Sequence, residues 1–443
     1  MEKSNAGKWF YLLALVMLLA ALVFGVLAAL SYSSQGLWKE SLGFIKLRPL
    51  HVSSALFWIL TGANGIVFFA LQAMGLKLFS PVLARVQWLL WVVAMAGIFY
   101  SYFSGDFGGR EYWEYPPVWS VFIFMAWVLL AINFFMSTGS FHQRPVYFWM
   151  WSTGIIFFLL IFLENYLWIF PSFREHFLQD TTIQWKVNGS LVGCWNQMIY
   201  GTAMFLMEKI SGDKTTARSP LAFSMYFLGL FNLMFNWSHH IYTLPTAEYV
   251  RYIGYIVSMT EWIILLRIIY TWKAAVSTAK KHLHYYPYRF LLAADAWVFL
   301  NLFLALLMSV PAINLYTHGT HFTVAHAMGT TIGINSMLLL AAGFEFSGLK
   351  VPGQNKTIRA AFIMVQVSLL LFWIVLIAAG VYKANWQMNH PEISHTQMMQ
   401  SLRPVFVVFT LAGLVLMFSL GSIAFYLFKK MTGPGQHLST FPA

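Results

Sequence analysis

Three histidines and a methionine stand in one apolar stretch, residues 316–335, which the sequence predicts to be part of a membrane helix. Polar groups inside such a helix are costly and usually face a bundle interior, a partner or a cofactor. His326 and Met328 are two positions apart, so at about 100° per residue they point to nearly opposite faces. One helix could therefore carry two separate groups, and two flanking haems are the hypothesis that these residue types favour. The alternative is that His326 only hydrogen-bonds a neighbouring helix.

Two adjacent histidines, His239 and His240, lie at the end of another apolar stretch. Imidazole is the usual axial ligand of b-type haem, and it also binds non-haem iron, copper and zinc. Neighbours on a regular helix diverge by about 100°, so both side chains reach one metal only where the helix loosens or ends. Pro245 follows shortly after and favours such an ending. The alternative is a pair of interfacial histidines that face water.

The composition is that of a polytopic membrane protein. Of the 443 residues, 59% are hydrophobic and 9% are charged, whereas a soluble domain carries roughly 25% charged residues. The net charge of +12 is expected to lie mostly in cytoplasmic loops, so it does not indicate nucleic-acid binding. The single cysteine, Cys194, excludes an intrachain disulfide and a thiolate metal cluster. We therefore predict an all-α integral membrane protein embedded in the lipid bilayer.

Apolar stretches of about 20 residues, each long enough to cross roughly 30 Å of hydrocarbon, recur about twelve times. No long polar insertion separates them, so we expect residues 1–443 to form a single polytopic membrane domain. The first stretch is expected to be an uncleaved span. The predicted spans are 9–31, 50–75, 84–104, 117–137, 145–169, 183–208, 219–242, 249–272, 290–312, 319–345, 357–384 and 401–428.

Basic residues give the predicted orientation. Lysine and arginine concentrate at both ends of the chain and in the loops that follow even-numbered spans. Cytoplasmic loops are enriched in basic residues, so both termini are predicted to be cytoplasmic. The opposite loops are less basic and carry Asp106, Glu111, Glu114, Asp180 and Glu248.

This topology places the candidate ligands at one depth. His51 begins the second span, Asn188 begins the sixth, the adjacent histidines end the seventh, and His326 lies near the start of the tenth. All of them fall in the outer part of the bilayer, where scattered structural histidines would not be expected to coincide. A shared cofactor layer is therefore predicted. The other outer histidines are expected to be surface residues: His318, His321, His390 and His395.

Five short motifs, spread along the chain, are specific when taken together. They are Arg48-Pro49-Leu50-His51, Gly109-Arg110-Glu111-Tyr112-Trp113-Glu114-Tyr115-Pro116, Ser238-His239-His240, Ser258-Met259-Thr260-Glu261, and Tyr316-Thr317-His318-Gly319-Thr320 followed by Ala325-His326. On these motifs the sequence resembles the large subunit of bacterial nitric oxide reductase, within the haem–copper oxidase superfamily. The resemblance covers all of the predicted spans and implies the helical bundle of that superfamily's subunit I, located in a bacterial inner membrane.

The resemblance implies two haems b and one non-haem metal. His51 would ligate the low-spin haem b, and His326 would be the proximal ligand of the high-spin haem b3. His239 and His240 would hold the non-haem metal that faces that haem. Iron is the favoured metal, and copper stays open.

The resemblance also implies roles for carboxylates. Glu261 would be the buried catalytic carboxylate beside the metal, and its alternative role is that of an interhelical partner of Arg267. Glu111 or Glu114 would help bind calcium near the haem propionates, and the alternative is a solvated outer loop.

This chain departs from the reductase at four positions. The reductase has histidine where this chain has Asn188, and glutamate at the positions of Val192 and Asn196. These three residues are spaced i, i+4 and i+8, so they share one face of the sixth span. The second ligand of the low-spin haem, histidine in the reductase, is Met328 here.

The departures weaken the supply of electrons and protons. The Asn188 carbonyl is a weak, neutral donor, so the metal would have two imidazoles and a poorer third ligand. Val192 removes a carboxylate that would help bind iron and relay protons. A His/Met ligand pair raises the haem potential relative to His/His, which makes onward electron delivery less favourable.

These losses bear on the reaction. Reduction of 2 NO to N₂O and water consumes two electrons and two protons, whereas dismutation of 2 NO to N₂ and O₂ consumes neither. The sequence therefore favours an oxidoreductase that dismutates nitric oxide, as in the NO dismutases, relatives in which an active-site histidine is also an asparagine. Two-electron reduction is the alternative, with electrons from a cytochrome c-type subunit or a quinol. A homodimer is compatible with either reaction.

Three further classes remain open. A non-catalytic, haem-bearing gas-binding subunit has little need for the buried carboxylate Glu261. A terminal O₂ reductase needs a third histidine at the metal and a tyrosine crosslinked to a ligand, and neither is evident. A transporter would carry midplane charges in paired half-helices, and only four candidates are found: Glu164, Glu261, Arg267 and Asp295.

Overall fold

The computed structural model describes residues 5–34, 41–259, 262–349, 355–390 and 392–433. In these ranges the chain is helical and contains no β-strand, which confirms the all-α fold class. The helices are α1 (Ala6–Ser33), α2 (Phe44–Ala73), α3 (Pro81–Ser104), α4 (Val118–Thr138), α5 (Val146–Glu164), α6 (Pro171–Arg174), α7 (Phe177–Ser211), α8 (Pro220–Phe235), α9 (Glu248–Ser258), α10 (Trp262–Ala275), α11 (Thr278–Leu283), α12 (Tyr285–Ser309), α13 (Pro311–Thr317), α14 (His321–Met328), α15 (Met337–Phe346), α16 (Lys356–Asn389), α17 (His395–Ser401) and α18 (Arg403–Thr432).

Nine helices within the described ranges are long and apolar enough to cross a membrane. They match the predicted first to fifth and ninth to twelfth spans, as expected for a multi-pass membrane protein. The predicted total of about twelve is not confirmed. The sixth predicted span is less apolar, and the seventh and eighth are interrupted.

The three exceptions carry polar side chains or a broken backbone. Helix α7 runs for 35 residues, but amides and hydroxyls such as Asn188, Ser190 and Gln197 are buried along it. Helix α8 ends after 16 residues, short of the roughly 20 that a bilayer requires. The chain then continues as a 3₁₀-helix, Asn236–Ile241. The predicted eighth span is divided between α9 and α10.

Helix α2 lies at the centre of the bundle, and nearly all of its apolar part is buried. Gly7 of α1 and Gly65 of α2 let these helices approach closely, because a Cβ on either glycine would lie 2.9 Å from the partner helix. Small residues permit such close packing of membrane helices. The Trp58 indole donates to Ser336 Oγ at 2.8 Å, which joins α2 to the part of the chain that follows α14.

That part is a π-helix, Gly329–Ser336, between α14 and α15. A π-helix is rare and frequently lies at a functional site. Its glycines let α12 approach, because a Cβ on Gly329 would lie 2.2 Å from Asn301 Oδ1 and one on Gly333 would lie 2.5 Å from Trp297. These close contacts fix the position of the preceding turn, which carries two of the candidate haem ligands.

Candidate metal and haem centre

The adjacent histidines lie on the 3₁₀-helix that follows α8. The regular helix ends at Phe235, which agrees with the expectation that the backbone loosens before two neighbouring imidazoles can converge. The ring centroids of His239 and His240 are 4.2 Å apart, with an interplanar angle of 43°. The two imidazoles therefore share one local environment.

A hydrogen bond orients the first of these rings. His239 Nδ1 lies 3.1 Å from Asn236 Oδ1, and the hydroxyl of Ser258 donates to the same oxygen at 2.5 Å. When Nδ1 donates to the amide oxygen, Nε2 keeps its lone pair for a metal. Asn314 Nδ2 donates to the main-chain carbonyl of His239 at 3.1 Å, which also fixes the backbone.

The second ring is held by aromatic contacts. His240 stacks on Trp185 of α7, with centroids 5.1 Å apart and an interplanar angle of 9°. His318 meets the same two rings edge-on, 5.8 Å from His240 and 5.3 Å from Trp185. The expectation that His318 is a plain surface residue is therefore wrong. Burial lowers the pKa of His318, and the nearby Glu111 carboxylate opposes that shift.

His326 lies on α14, which begins three residues after His318, and it is near both adjacent histidines. The three imidazoles predicted to form one centre are thus brought together. Thr330 Oγ1 donates to the His326 carbonyl at 3.1 Å and accepts from Asn301 Nδ2 at 2.8 Å. This chain of bonds links the histidine to α12.

Helix α7 is unbroken, so Asn188, Val192 and Asn196 share one face as the spacing predicts. Asn188 is 3% exposed. Neither of its amide atoms has a hydrogen-bond partner among the described residues. A buried polar group without a partner costs about 1–3 kcal/mol of folding free energy. A ligand or metal that bonds to the Asn188 amide would remove this cost.

Two glycines beside this face bring α7 close to the segment that carries the histidine pair. A Cβ on Gly189 would lie 2.8 Å from Trp237, and one on Gly193 would lie 2.9 Å from Leu233. The hydroxyl of Ser190 donates to the Leu233 carbonyl at 2.8 Å. Helix α7 therefore packs tightly on the end of α8 and on the 3₁₀-helix that carries the histidines.

No group of three or more His, Cys, Asp or Glu side chains could hold a metal ion within the described ranges. His318, whose ring centroid lies 5.8 Å from that of His240, meets the pair edge-on and forms no such group with it. The predicted catalytic carboxylate Glu261 lies outside the described residues. Val192 is partly buried and packs against the core.

His51 lies on α2 and faces α1. Its Nδ1 is 2.8 Å from the Ala21 carbonyl, an arrangement that leaves Nε2 free for a metal. A Cβ on Gly25 would lie 2.8 Å from the imidazole, so glycine is required for the ring to sit there.

Met328, the other candidate ligand of the low-spin haem, can be placed by helix register. Trp58 bonds to Ser336, His51 is seven residues before Trp58, and Met328 is eight residues before Ser336. Each candidate ligand therefore lies about two helical turns before that bond along its own helix. The two belong to even-numbered spans, which run in the same direction in the predicted topology, so similar depths are expected.

The two candidate calcium ligands meet one guanidinium. Arg48 bonds to Glu111 at 2.7 Å and also to Glu114. One positive and two negative charges leave a formal charge of −1. Burial raises the pKa of Glu114, and Arg48 opposes this shift. Glu114 Oε2 is buried without a partner among the described residues, so one oxygen remains for a hard cation.

A buried imidazole nitrogen is consistent with haem and metal ligation. Among the described residues, the buried His240 Nδ1 has no hydrogen-bond partner. Imidazole is the common ligand of both b-type haem and non-haem iron. The histidines of the site therefore fit such groups.

Sequence reasoning assigned no supporting role to five residues that contact the site: Trp185, Asn236, Ser258, Asn314 and His318. Asn236 carried a signal, because it is three positions before His239 and such residues are neighbours on a helical surface. Ser258 and His318 stand in two of the quoted motifs, but their contacts with the site, like those of Trp185 and Asn314, arise only from packing of distant parts of the chain.

The chain resembles proteins of two activities. It is 21% identical over 468 residues to a nitric oxide reductase subunit of Stutzerimonas stutzeri, with 97% of this chain and 94% of the relative covered. It is 22% identical over 368 residues to the cbb3-type cytochrome c oxidase subunit CcoN1 of the same species, with 78% of this chain and 74% of the relative covered. Relatives named for nitric oxide reduction and for oxidase activity are thus about equally similar to it in sequence.

A solved structure and a family profile agree on the fold. The chain matches a haem–copper terminal oxidase dimer determined by cryo-EM with a TM-score of 0.74 and 15% identity, over 99% of this chain and 86% of that chain. The family described as "Cytochrome C and Quinol oxidase polypeptide I" matches residues 5–431. The chain therefore belongs to the cytochrome c and quinol oxidase polypeptide I family, the subunit I family of the haem–copper oxidases.

Proposed function

We propose that this chain is a membrane enzyme that converts nitric oxide at a haem and non-haem metal centre, and that its reaction is dismutation to N₂ and O₂. The observation that carries the proposal is the set of three clustered imidazoles beside a neutral face of α7. His239, His240 and His326 supply the imidazoles. Asn188 and Val192 supply the neutral face.

Each side chain has a defined task in this proposal. His239 and His240 hold the non-haem metal, and Asn236 keeps the first imidazole oriented. His326 holds the high-spin haem. His51 and Met328 hold the low-spin haem, with the Ala21 carbonyl orienting His51. Members of the family typically bind haems and a metal.

The bound haem and metal supply the redox-active sites at which nitric oxide binds. The residues of the chain exclude water from that site and control access of protons. Asn188 has a neutral amide, so it can orient a small ligand by hydrogen bonding but cannot relay protons as a carboxylate does. Val192 contributes an apolar surface.

The balance of electrons and protons favours dismutation. Converting 2 NO to N₂ and O₂ breaks two N–O bonds, forms one N–N and one O–O bond, and needs no external electron or proton. Conversion to N₂O and water needs two of each. On the adjacent helix α7, the neutral residues Asn188 and Val192 add neither an imidazole nor a carboxylate that could supply protons.

Reduction to N₂O is the second candidate. It is favoured by the similarity to the nitric oxide reductase of Stutzerimonas stutzeri, which extends over 97% of this chain. In that case a cytochrome c-type subunit or a quinol would supply electrons, and Glu261 would belong to the proton path. In either case we propose a single polytopic domain with both termini in the cytoplasm of a bacterial cell.

Isotope-labelled nitric oxide separates the two reactions. The purified chain, reconstituted in vesicles without oxygen, is supplied with labelled NO, and the gases are measured by mass spectrometry. Labelled N₂ and O₂ in equal amounts without added reductant support dismutation. Labelled N₂O that requires reductant and contains all the converted nitrogen would overturn dismutation and support reduction.

A matched variant controls for chemistry in solution. Replacing His239 and His240 by alanine should abolish both products, because the metal then loses its two imidazoles. If neither product forms with the unchanged, haem-loaded chain, or if both form equally in the variant, the proposal of nitric oxide conversion at this site is wrong.

A further inference from the structure

A groove of about 730 Å³ lies between α12 and α16. It is lined by residues that belong neither to the haem centre nor to the metal centre. Its mouth is formed by α11 and the start of α12, and its body follows both long helices. A groove of this size matches the volumes of small-ligand sites.

The mouth of the groove is cationic. Lys281 Nζ lies 5.7 Å from the centroid of the Tyr288 ring, and the Arg289 guanidinium lies 4.4 Å from that of Tyr285. In the described part of the chain, neither cation forms an ion pair with a carboxylate. The aromatic rings hold the cations in place but leave two positive charges for an anion.

The neighbouring Lys280 behaves differently. Its ammonium group donates to the Ser211 carbonyl at the end of α7, so it joins two helices. The basic run 280–282 is thus divided, and Lys281 and His282 line the groove.

The body of the groove is apolar. Leu292, Ala296 and Leu300 are spaced i, i+4 and i+8 along α12, so they form one stripe. Phe362 and Leu370 line the opposite side on α16. Eleven residues separate Arg289 from Leu300, which is about 16 Å of helix at 1.5 Å per residue. A hydrocarbon chain can lie along such a stripe.

The polar groups deep in the groove are already bonded. The Trp297 indole donates to Gln366 Oε1 at 3.0 Å, and Gln366 Nε2 donates to Met337 Sδ at 3.4 Å. A ligand with a polar ring in the deep part would find these groups engaged, whereas an acyl chain needs no such partner.

We propose that this groove binds one anionic glycerophospholipid. Its phosphate lies at Lys281 and Arg289, and one acyl chain lies along α12 and α16. Basic pockets between membrane helices on the cytoplasmic side bind anionic lipid headgroups, and the loop charges predict that side for this mouth. The proposal does not depend on the reaction that the haem centre catalyses.

Native mass spectrometry of the full chain tests the proposal. The protein is stripped of lipid in detergent and incubated with equal amounts of phosphatidylglycerol and phosphatidylcholine. One bound phosphatidylglycerol is expected per chain. The double variant Lys281→Ala and Arg289→Ala should retain it roughly tenfold less, because each cation near the headgroup contributes to anionic lipid binding.

Matched variants distinguish lipid binding in the groove from a general attraction of anionic lipid to basic residues. Lys429→Ala with Lys430→Ala removes two cations from the end of α18, where Lys430 also lies over an aromatic ring, 5.9 Å from its centroid. This variant should keep the lipid. Ala296→Trp should fill the groove and expel the acyl chain, whereas Phe303→Trp adds bulk on an exposed part of α12 outside the lining and should have no effect.

Several results would overturn the proposal. They are equal retention of the two lipids, retention of neither, unchanged retention in both groove variants, and an equal loss in the control variants. If the double alanine variant does not fold, Ala296→Trp still tests whether the groove binds the lipid. Ala296 is exposed, so the larger side chain enters open space and should not disturb folding.

Discussion

Asn236 controls the orientation of the His239 imidazole through one hydrogen bond, 3.1 Å long. Removing the amide by Asn236→Ala leaves Nδ1 without that acceptor, so the ring rotates and exchanges tautomers. Partners of metal-ligating histidines typically contribute about 10–100-fold to metal affinity. We therefore expect the variant to bind the non-haem metal at least about tenfold more weakly, measured by metal analysis after dialysis against a graded chelator.

The control for this variant is Asn389→Ala. Asn389 is exposed at the end of α16 and bonds only to another exposed asparagine, Asn385, so metal content should not change. Asn236→Asp keeps the acceptor oxygen and should restore most of the affinity. If all three variants bind metal as the unchanged chain does, Asn236 has no orienting role.

Three substitutions on this chain together should shift the reaction toward reduction: Asn188→His, Val192→Glu and Met328→His. The first adds an imidazole, the second a carboxylate for proton transfer, and the third lowers the potential of the low-spin haem relative to His/Met ligation. We expect the amount of N₂O formed for each electron that the donor supplies to be higher than in the unchanged chain. The measurement is N₂O formed by the purified protein with an artificial electron donor.

Asn196→Gln serves as the matched change on the same face of α7, because it enlarges an amide and adds no ligand or charge. It should leave N₂O formation as it is in the unchanged chain. A triple variant that binds both haems and makes no more N₂O than this control contradicts the assigned roles of the three positions.

Residue types indicated candidate ligands for the centre but not the residues that support them. Imidazoles are rare in apolar stretches, so His51, His239, His240 and His326 were visible as candidate ligands without coordinates. The contact of His318 with Trp185 was not visible, because 133 positions separate the two residues along the chain and only packing of α7 brings them together.

Gly25 is required where α1 passes the His51 imidazole. A Cβ at this position would lie 2.8 Å from the ring, so Gly25→Ala should displace it and break the bond between Nδ1 and the Ala21 carbonyl. We expect the variant to lose the low-spin haem and to keep the high-spin haem. A pyridine haemochromogen assay with a protein determination should show about half of the unchanged chain's haem b.

Gly413→Ala is the matched control on α18, because its nearest atom would lie at an ordinary distance of 3.7 Å. It should keep the full haem content. If Gly25→Ala also keeps both haems, with an unchanged spectrum, His51 tolerates displacement and is not a haem ligand.

Helices with continuous apolar sequence were predicted well, because hydropathy over about 20 residues responds directly to the cost of crossing a bilayer. The break at Phe235 was indicated by the adjacent histidines and Pro245. The division between α9 and α10 was not predicted, because averaging over a long window hides a short interruption. The π-helix was also missed, since hydropathy does not report hydrogen-bond register.

At the scale of the whole molecule, family membership and the all-helical fold follow from features that extend over most of the chain. The predicted orientation in the membrane rests only on where the basic residues lie. The contacts within the bundle are the same in either orientation, so they do not test it. A labelling experiment is therefore needed to decide which end of the bundle faces the cytoplasm, and the native cysteine makes it simple. Cys194 is fully buried, so it should not react with a membrane-impermeant maleimide.

Two single cysteines test the predicted orientation. Ala247→Cys lies at an exposed position before α9, on the predicted outer side, and Lys214→Cys lies at an exposed position after α7, on the predicted inner side. In whole cells whose outer barrier has been opened, the first should react and the second should react only after the inner membrane is permeabilised. The opposite pattern would reverse the orientation. The cofactor layer would then lie toward the cytoplasm, and the cationic groove would open to the outer leaflet, where the stated preference for anionic lipid loses its electrostatic basis.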